Sequence, residues 1–317
     1  MITHIHSFIN QHNLIPAGST IVLGISGGPD SVFLLHVLAP LANQGSIKLI
    51  AAYLNHGWPA NSDQELLFSQ RLSQSLNIPF VSTHIDNLNI TFKFNGSKEE
   101  NGRRYRRFFL EQVAREHSAT HIALAHHADD QQETFFIRLL RGTTLTGLTG
   151  MKLKQGMYVR PLLATYKADI LTYLQTYNVP YMTDPTNHEA VFMRNKIRLL
   201  ALPALKQCDP RFNQNFASSL AHLQETEAFL DELANKTLND LTVSGTFEIK
   251  QWTALHPFLQ KKVIVQWLYT HKLPLQLTSP FIEEVIRFLT SPTGGTHILH
   301  PTWALVKKQG KVWVEKD

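Results

Sequence analysis

Short apolar runs alternate along the first half of the chain with longer segments in which apolar positions recur at helical spacing. The apolar runs predict buried strands at residues 21–25, 47–54, 79–84 and 120–125. The longer segments predict helices at residues 32–38, 62–77, 99–117 and 129–141. Buried strands that alternate with amphipathic helices are typical of a parallel sheet covered on both faces. We therefore predict a doubly wound α/β fold with a mainly parallel sheet.

The regular alternation ends near Gly142. A loop-rich stretch leads to a predicted helix at residues 167–177, and residues 194–241 are dominantly helical. The last part of the chain combines short strands with two helices. We predict two domains: a main domain at residues 1–205, and a helical linker with a smaller C-terminal α+β domain at residues 206–317.

The composition is that of a folded, soluble protein. Of 317 residues, 43% are hydrophobic and 17% are charged, which excludes an intrinsically disordered chain. Cys208 is the single cysteine, so the chain has no internal disulfide and no cysteine-rich zinc site. Its first residues do not form a basic segment followed by a long apolar one, and no apolar stretch of about 18 residues occurs in the sequence. We expect a cytoplasmic protein without membrane association.

Positive charge is concentrated in three segments. Lysine and arginine outnumber aspartate and glutamate by only 30 to 25, a net charge of +5. Residues 134–168 and residues 190–208 nevertheless contain several basic residues and no acidic one, and residues 103–107 contain a cluster of arginines. One such cluster is typical of a solvated face, but three predict a polyanionic partner larger than a nucleotide, such as a nucleic acid.

A polar loop joins the first predicted strand to its helix. Its six residues are Ser26, Gly27, Gly28, Pro29, Asp30 and Ser31. The glycines let the backbone approach a ligand closely, the serines offer hydroxyl groups, and the start of the following helix favours an anion. The spacing differs from that of a Walker loop and from that of a dinucleotide-binding turn. The loop therefore predicts a phosphate site, and the alternative is a simple turn that caps the helix.

A dense set of ionisable residues follows the predicted strand at residues 120–125. His126 and His127 precede a predicted helix that carries Asp129, Asp130 and Glu133 near its start. Asp129 and Asp130 lie four and three positions before Glu133, which permits a paired carboxylate site. Because the carboxyl ends of parallel strands lie at one edge of a sheet, we expect this set to converge with the first loop on one crevice. Two alternatives are that an aspartate only caps the helix and that the histidines belong to a zinc site.

The six-residue loop resembles the pyrophosphate loop of the ATP pyrophosphatase (PP-loop) family, in which ATP is split between its α and β phosphates. Further motifs resemble, in their order, those of the tRNA(Ile)-lysidine synthetase family, at residues 126–134, 138–142, 147–151, 160–163, 184–187 and 194–198. The resemblance covers about residues 20–205. It implies an adenine nucleotide alpha hydrolase-like fold, with residues 1–205 as the catalytic domain.

The resemblance implies a specific reaction. Members of this family attach free L-lysine to C2 of the wobble cytidine, position 34, in the CAU anticodon of tRNA(Ile), which changes decoding from AUG to AUA. ATP first adenylates the C2 oxygen with release of pyrophosphate, and lysine then displaces AMP. Only about one lysine ε-amine in a few thousand is unprotonated at neutral pH, so a carboxylate site for the ammonium fits this chemistry.

The resemblance also implies roles for residues of this chain. The implied catalytic residues are Asp30, Arg106, Asp130, Glu133 and Arg198. The six-residue loop holds ATP, and Asp30 helps to hold Mg²⁺. Asp130 and Glu133 bind the lysine ammonium, with Glu133 or a water as the general base. Arg106 and Arg198 lie near ATP and the reacting base, where they stabilise the departing phosphates.

Basic residues supply candidate contacts to tRNA. They are Arg104, Arg107, Arg194 and Lys196. Arg107 follows Arg106 where the family usually has a tyrosine, so this position departs from the family pattern. A solvated basic face is the alternative for Arg104 and Arg107.

Other functions stay open from the sequence. A different PP-loop ATP pyrophosphatase would thiolate or amidate a tRNA or a small molecule, although a single cysteine disfavours thiolation. A nucleotide-dependent RNA-binding protein without catalysis would not need the carboxylates of the second motif. The sequence also leaves the oligomeric state open, a homodimer included.

Overall fold

The computed structural model describes residues 1–57, 62–88, 90, 98–183, 193–243, 245–274 and 277–316. The chain forms two compact units, Met1–Phe216 and Ala217–Asp317. The predicted domain boundary lies at residues 205/206, eleven positions earlier than the observed division. The reason is that Phe212 and Phe216, in the first turns of a long helix, make ring contacts with Phe136 and Phe135 of the first unit.

A six-stranded sheet forms the centre of the first unit. Its strands are β1 (Thr20–Gly24), β2 (Lys48–Asn55), β3 (Phe80–His84), β4 (His121–Ala123), β5 (Lys154–Gln155) and β6 (Tyr158–Val159). They lie in the order β3-β2-β1-β4-β6-β5. β1 pairs in parallel with β2 and β4, which places Ile21 opposite Leu49 and His121, whereas β5 and β6 are antiparallel. This mainly parallel sheet confirms the predicted fold class.

Helices pack against both faces of this sheet. The helices of the first unit are α1 (Ile2–Gln11), α2 (Pro29–Asn43), α3 (Ser62–Ser75), α4 (Lys98–Glu116), α5 (Ala128–Leu140), α6 (Leu145–Leu148), α7 (Lys167–Thr176), α8 (Met193–Lys196) and α9 (Leu202–Cys208). A 3₁₀ helix, Ile85–Leu88, follows β3, and a π-helical turn, Ile197–Ala201, joins α8 to α9. Within β1, Leu23 packs in one core with Phe33 of α2, and Val22 packs in another with Phe109 of α4. Burial on both faces explains the continuous apolar runs of the strands.

The second unit combines an antiparallel sheet with helices. Helix α10 (Phe212–Leu241) leads into it. Its other elements are β7 (Thr242–Val243), β8 (Thr246–Glu248), α11 (Ile249–Thr253), α12 (Pro257–Thr270), α13 (Ser279–Thr290), β9 (Gly295–His300), β10 (Trp303–Lys308) and β11 (Lys311–Lys316). The strand order is β7-β8-β11-β10-β9. Phe247, Trp252 and Trp267 lie at the centre of the core, as expected for a small α+β unit.

The hydrophobic pattern does not predict α1, β10 or the two-residue strands β5 and β6. Two residues are too few to show a period. The motif at residues 184–187 lies outside the described residues. In the described parts of the chain, no helix is both long enough and apolar enough to cross a membrane.

Candidate active site

The loops that follow β1 and β4 lie side by side. β1 has β2 as one neighbour and β4 as the other, so the order of the strands reverses between β1 and β4. Open α/β sheets bind ligands at the carboxyl ends of the strands at such a point. Residues 25–28 follow β1 and residues 124–127 follow β4. The topology therefore brings the two polar motifs of the sequence to one crevice.

Both motifs line a cavity of about 670 Å³ in this crevice. From the motifs, the lining residues are Ser26, Gly28, Pro29, Asp30, His127, Asp129 and Glu133. A volume of this size is that of a typical small-molecule site. The crevice is therefore large enough for a nucleotide.

The loop after β1 is a preformed turn. Gly27 has a φ of +73°, which disfavours any side chain, and a Cβ atom there would meet neighbouring side chains at 3.4 Å. The Gly27 carbonyl accepts a hydrogen bond from the Met182 N–H (2.9 Å). The Ser31 hydroxyl accepts from the Ser26 N–H (3.1 Å) and donates to the Gly28 carbonyl (3.0 Å). These bonds fix the loop against the start of α2.

Helix α2 begins at this turn and presents its positive end to the crevice. Gly28 is the N-cap and Pro29 the first helical residue. The first N–H groups of a helix have no partner within the helix, and the dipole favours an anion there. The Asp30 carboxylate lies in the same first turn. The geometry suits a phosphate group accompanied by a cation.

Asp130 caps helix α5. Its Oδ2 accepts a hydrogen bond from the backbone N–H of His127, the N-cap residue (3.0 Å). The structure therefore confirms that an aspartate caps this helix, but not that capping is its only contact. Capping uses only one carboxylate oxygen, and Oδ1 makes a different contact.

Two carboxylates and two arginines form an ion cluster beside the cavity. Arg194 Nε donates to Glu133 Oε2 (2.6 Å), and Arg194 Nη2 donates to Asp130 Oδ1 (2.8 Å). Arg198 Nε donates to Glu133 Oε1 (2.6 Å), and Arg198 Nη2 donates to Glu133 Oε2 (3.1 Å). The Glu133 side chain is only 1% exposed. Two positive charges thus match two negative charges in what we call the ion cluster: Asp130, Glu133, Arg194 and Arg198.

A second set of charged contacts joins the two motifs. Lys167 Nζ donates to Asp30 Oδ1 (2.5 Å), and the Lys167 backbone N–H donates to Asp129 Oδ2 (2.8 Å). Lys206 Nζ donates to Asp129 Oδ1 (3.4 Å). The His127 ring lies between them, with Nε2 3.7 Å from Asp30 Oδ2 and Nδ1 3.5 Å from Asp129 Oδ2. Both aspartates are therefore held by cations at the wall of the cavity.

The carboxylates determine the protonation of His127. Burial alone lowers the pKa of His127, but Asp129, Asp130 and Asp30 outweigh burial and raise that pKa above its usual value. Burial alone would raise the pKa of Asp129, yet pairing with His127 and the lysine contacts holds it well below its usual range. By contrast, burial lowers the pKa of the adjacent His126 to about 4, so His126 is neutral at pH 7.

Arg106 lines another part of the cavity wall. One of its terminal nitrogens lies 3.4 Å from Nε2 of His56, which also lines the cavity. Burial, followed by the charge of Arg106, lowers the pKa of His56 to about 4. Arg106 and Arg198 both reach the cavity. Their catalytic role stays a prediction.

The four candidate tRNA contacts lie in different environments. Arg104 and Lys196 are exposed. Arg107 is exposed as well, but it pairs with Glu111 (2.9 Å) and lies over a tyrosine ring. Arg194 differs from a surface contact, because its side chain is 18% exposed and its guanidinium belongs to the ion cluster. Its charge is already matched by Glu133 and Asp130, so the structure does not present Arg194 for contact with a tRNA phosphate, contrary to the prediction.

The cavity also contains residues that the motifs did not predict. They include Tyr53, His56, Lys167 and Lys206. Lys167 belongs to the acid-free segment at residues 134–168, which was the only sequence signal for it. Its partner Asp30 lies 137 positions earlier, and no local pattern connects the two.

The donor set fits a magnesium ion shared with phosphates. Mg²⁺ usually binds through one or two carboxylates together with substrate phosphates and water. Asp30 offers one carboxylate beside the anion-favouring start of α2. Within the described ranges, no group of three or more His, Cys, Asp and Glu side chains could hold a metal ion by itself. The zinc alternative therefore has no complete ligand set among those residues.

Known proteins are similar in sequence to most of this chain. The sequence model of the PP-loop domain family matches residues 1–205. A tRNA(Ile)-lysidine synthase of Bacillus cereus is 32% identical over 305 residues, which are 92% of this chain and 64% of that protein. A Bacillus subtilis protein of the same name is 32% identical over 295 residues, 89% of this chain and 62% of that protein. The chain thus spans less than two thirds of the length of these curated relatives.

A solved structure shares the fold. The U34-tRNA thiolase NcsA from Methanococcus maripaludis matches 71% of this chain and 78% of its own chain, with a TM-score of 0.59. The sequences are 16% identical. At that identity, the likeness shows a shared fold and carries no conclusion about chemistry.

Proposed function

Because the chain belongs to the PP-loop domain family, we propose that it uses ATP to ligate free L-lysine to C2 of the wobble cytidine in a tRNA(Ile) with a CAU anticodon. One observation carries this proposal: a single cavity is lined by the phosphate-binding turn and by carboxylates of the second motif. The name tRNA(Ile)-lysidine synthase, shared by the curated relatives, supports the choice of tRNA and lysine as substrates.

Activation of the cytidine is the first step. The C2 oxygen attacks the α-phosphorus of ATP, an oxygen–phosphorus bond forms, and the bond to the β-phosphate breaks to release pyrophosphate. The start of α2 would bind the phosphates, and Lys167, Arg106 and Arg198 would offset the charge that grows on the leaving group. Mg²⁺ held by Asp30 would neutralise phosphate charge.

Transfer of lysine is the second step. The ε-amine attacks C2, a carbon–nitrogen bond forms, and AMP leaves with the former C2 oxygen. The amine has an ordinary pKa of about 10.4 and arrives as an ammonium ion, so it needs a carboxylate site and must lose a proton. Asp130 and Glu133 are the proposed site, with Glu133 or a water as the proton acceptor.

The anticodon stem and loop would lie against exposed basic residues. Arg104 on α4 and Lys196 on α8 are both solvent-exposed, and Arg106 lines the cavity wall. Contacts of this kind position a phosphate backbone and carry no sequence information. We therefore propose Arg104 and Lys196 as tRNA-positioning residues.

A lysine incorporation assay tests the proposal. The chain is incubated with ATP, Mg²⁺, radiolabelled lysine and a tRNA(Ile) transcript that carries the CAU anticodon. We expect label in this tRNA, and none in a matched transcript with uridine at the wobble position or in tRNA(Met). Absence of label in the tRNA(Ile) transcript with the CAU anticodon, or transfer of a group other than lysine, would contradict the proposal.

A further inference from the structure

Arg194 already occupies the two carboxylates that the proposed function reserves for the substrate amine. We infer that Arg194 is a specificity-determining residue of this amine site, whose guanidinium closes the site until the lysine ammonium displaces it. The inference rests on the proposed function, because that function supplies the amine. It deepens that function by giving the site a closed and an open state.

The geometry of Arg194 is that of a substitute cation. Its Nε contacts Glu133 Oε2 (2.6 Å) and its Nη2 contacts Asp130 Oδ1 (2.8 Å), so one guanidinium bridges both carboxylates. Arg198 differs, because all its hydrogen bonds within the ion cluster go to Glu133. Of the two arginines, Arg194 is therefore the one whose position coincides with an ammonium held between Asp130 and Glu133.

The charge balance of the ion cluster requires displacement. Asp130 and Glu133 carry two negative charges, and Arg194 and Arg198 carry two positive charges at distances of 2.6 to 2.8 Å. A further ammonium would leave one buried positive charge without a partner, which is strongly unfavourable. Lysine therefore binds between these carboxylates when one guanidinium leaves them.

Access from the cavity points to the same residue. Glu133 and Arg198 line the cavity, whereas Asp130 and Arg194 are not among the described residues that do so. An amine that enters the cavity meets Glu133 first. It contacts Asp130 as well once Arg194 has moved aside.

A π-helical turn next to the helix that carries Arg194 allows this movement. The π-helical turn Ile197–Ala201 directly follows α8. A π turn holds an extra residue, and such turns are frequent at functional sites. If the turn adopts α geometry, the residues before it rotate by about 100° around the helix axis. That rotation carries Arg194 away from Asp130 and Glu133.

Displacement also explains selectivity for a cation. If the side chain of a neutral amino acid displaced Arg194, one of the two buried carboxylates, Asp130 or Glu133, would lose its compensating charge. An ammonium restores the balance. The closed state therefore discriminates against neutral amino acids that are otherwise similar to lysine in size.

The experiment compares Arg194→Ala with wild type in the lysine incorporation assay. We expect the KM for lysine to fall about tenfold, because an open state populated at about 10% weakens apparent affinity by that factor. Low millimolar guanidinium should then inhibit Arg194→Ala in competition with lysine, and should affect wild type much less. Arg211→Ala, which removes an arginine that is 75% exposed, is the matched control and should retain the wild-type KM.

A purely structural role of Arg194 gives the opposite signs. If Arg194 only holds the carboxylates in place, Arg194→Ala raises the KM for lysine and guanidinium restores activity, and either result overturns the inference. Should Arg194→Ala fail to fold, Arg194→Lys retains the charge with fewer donors, and it should lower the KM by a smaller factor. An unchanged or raised KM in Arg194→Lys would equally overturn it. Absence of lysine incorporation by wild type would instead contradict the proposed function itself.

Discussion

Replacing Glu133 by glutamine tests the energetic weight of the ion cluster. Glutamine keeps the size of the side chain but removes its charge, which leaves Arg194 and Arg198 with Asp130 alone. Loss of one partner from a buried ion pair costs about 3–5 kcal/mol. Because the Arg198 side chain is 38% exposed and water compensates part of its charge, we expect the lower end, about 3 kcal/mol. In a unit of the size of Met1–Phe216, that loss of about 3 kcal/mol lowers Tm by about 6–12 °C.

The assay is thermal unfolding followed by circular dichroism, with lysine incorporation measured on the same preparations. Glu133→Gln should unfold at the lower temperature and should lose lysine incorporation while it still binds ATP. Glu111→Gln is the control, because glutamine can still accept the hydrogen bond from the Tyr158 hydroxyl (2.7 Å) and loses only the pairing with Arg107. The Arg107 side chain is 68% exposed, and such a pair contributes about 1 kcal/mol or less. A Tm for Glu133→Gln no lower than that of Glu111→Gln would refute the reasoning.

Three further predictions concern the turn, the histidine and the tRNA contact. Gly27→Ala should cost about 1–2 kcal/mol of stability and weaken ATP binding measured by calorimetry. Gly18→Ala, also at positive φ but with open space around it, should leave the ATP affinity unchanged. Equal ATP affinities of the two variants would contradict the role of the turn. The raised pKa of His127 means that its stabilising contribution is complete below pH of about 6.5 and is lost as the pH rises through the folded-state pKa. The Tm of wild type should therefore fall toward that of His127→Gln on the alkaline side, and parallel curves would argue against it. Lys196→Ala should weaken tRNA binding and reduce the salt slope by about 1, and an unaltered slope would return Lys196 to an ordinary surface charge.

The sequence predicted the fold class and the crevice at which the two polar motifs meet. Short apolar runs and helical spacing predicted β1 to β4 and their helices. β1, β2 and β4 are largely buried, which leaves a strong signal, whereas β3 lies at the edge of the sheet and is partly exposed. The glycines before Asp30 and the carboxylates after β4 lie at strand ends, so topology alone brought them together.

The contacts within the site were beyond prediction from local patterns. Arg194 and Glu133 are 61 positions apart, and Lys167 and Asp30 are 137 positions apart. A charge run in the sequence is the same whether its arginines face solvent or buried carboxylates. Tertiary packing decides between these, and it places the Arg194 guanidinium on Glu133 and Asp130 rather than on the surface where we expected a tRNA contact.

In the proposed function, ATP bound in the crevice between β1 and β4 is split between its α and β phosphates, which activates the tRNA for attack by lysine. The most direct test is to identify by chromatography the nucleotides that the wild-type protein releases with tRNA(Ile) and lysine present. We predict one AMP and one pyrophosphate for each lysine incorporated, and pyrophosphate without free AMP when lysine is left out. Release of ADP and inorganic phosphate would contradict the account.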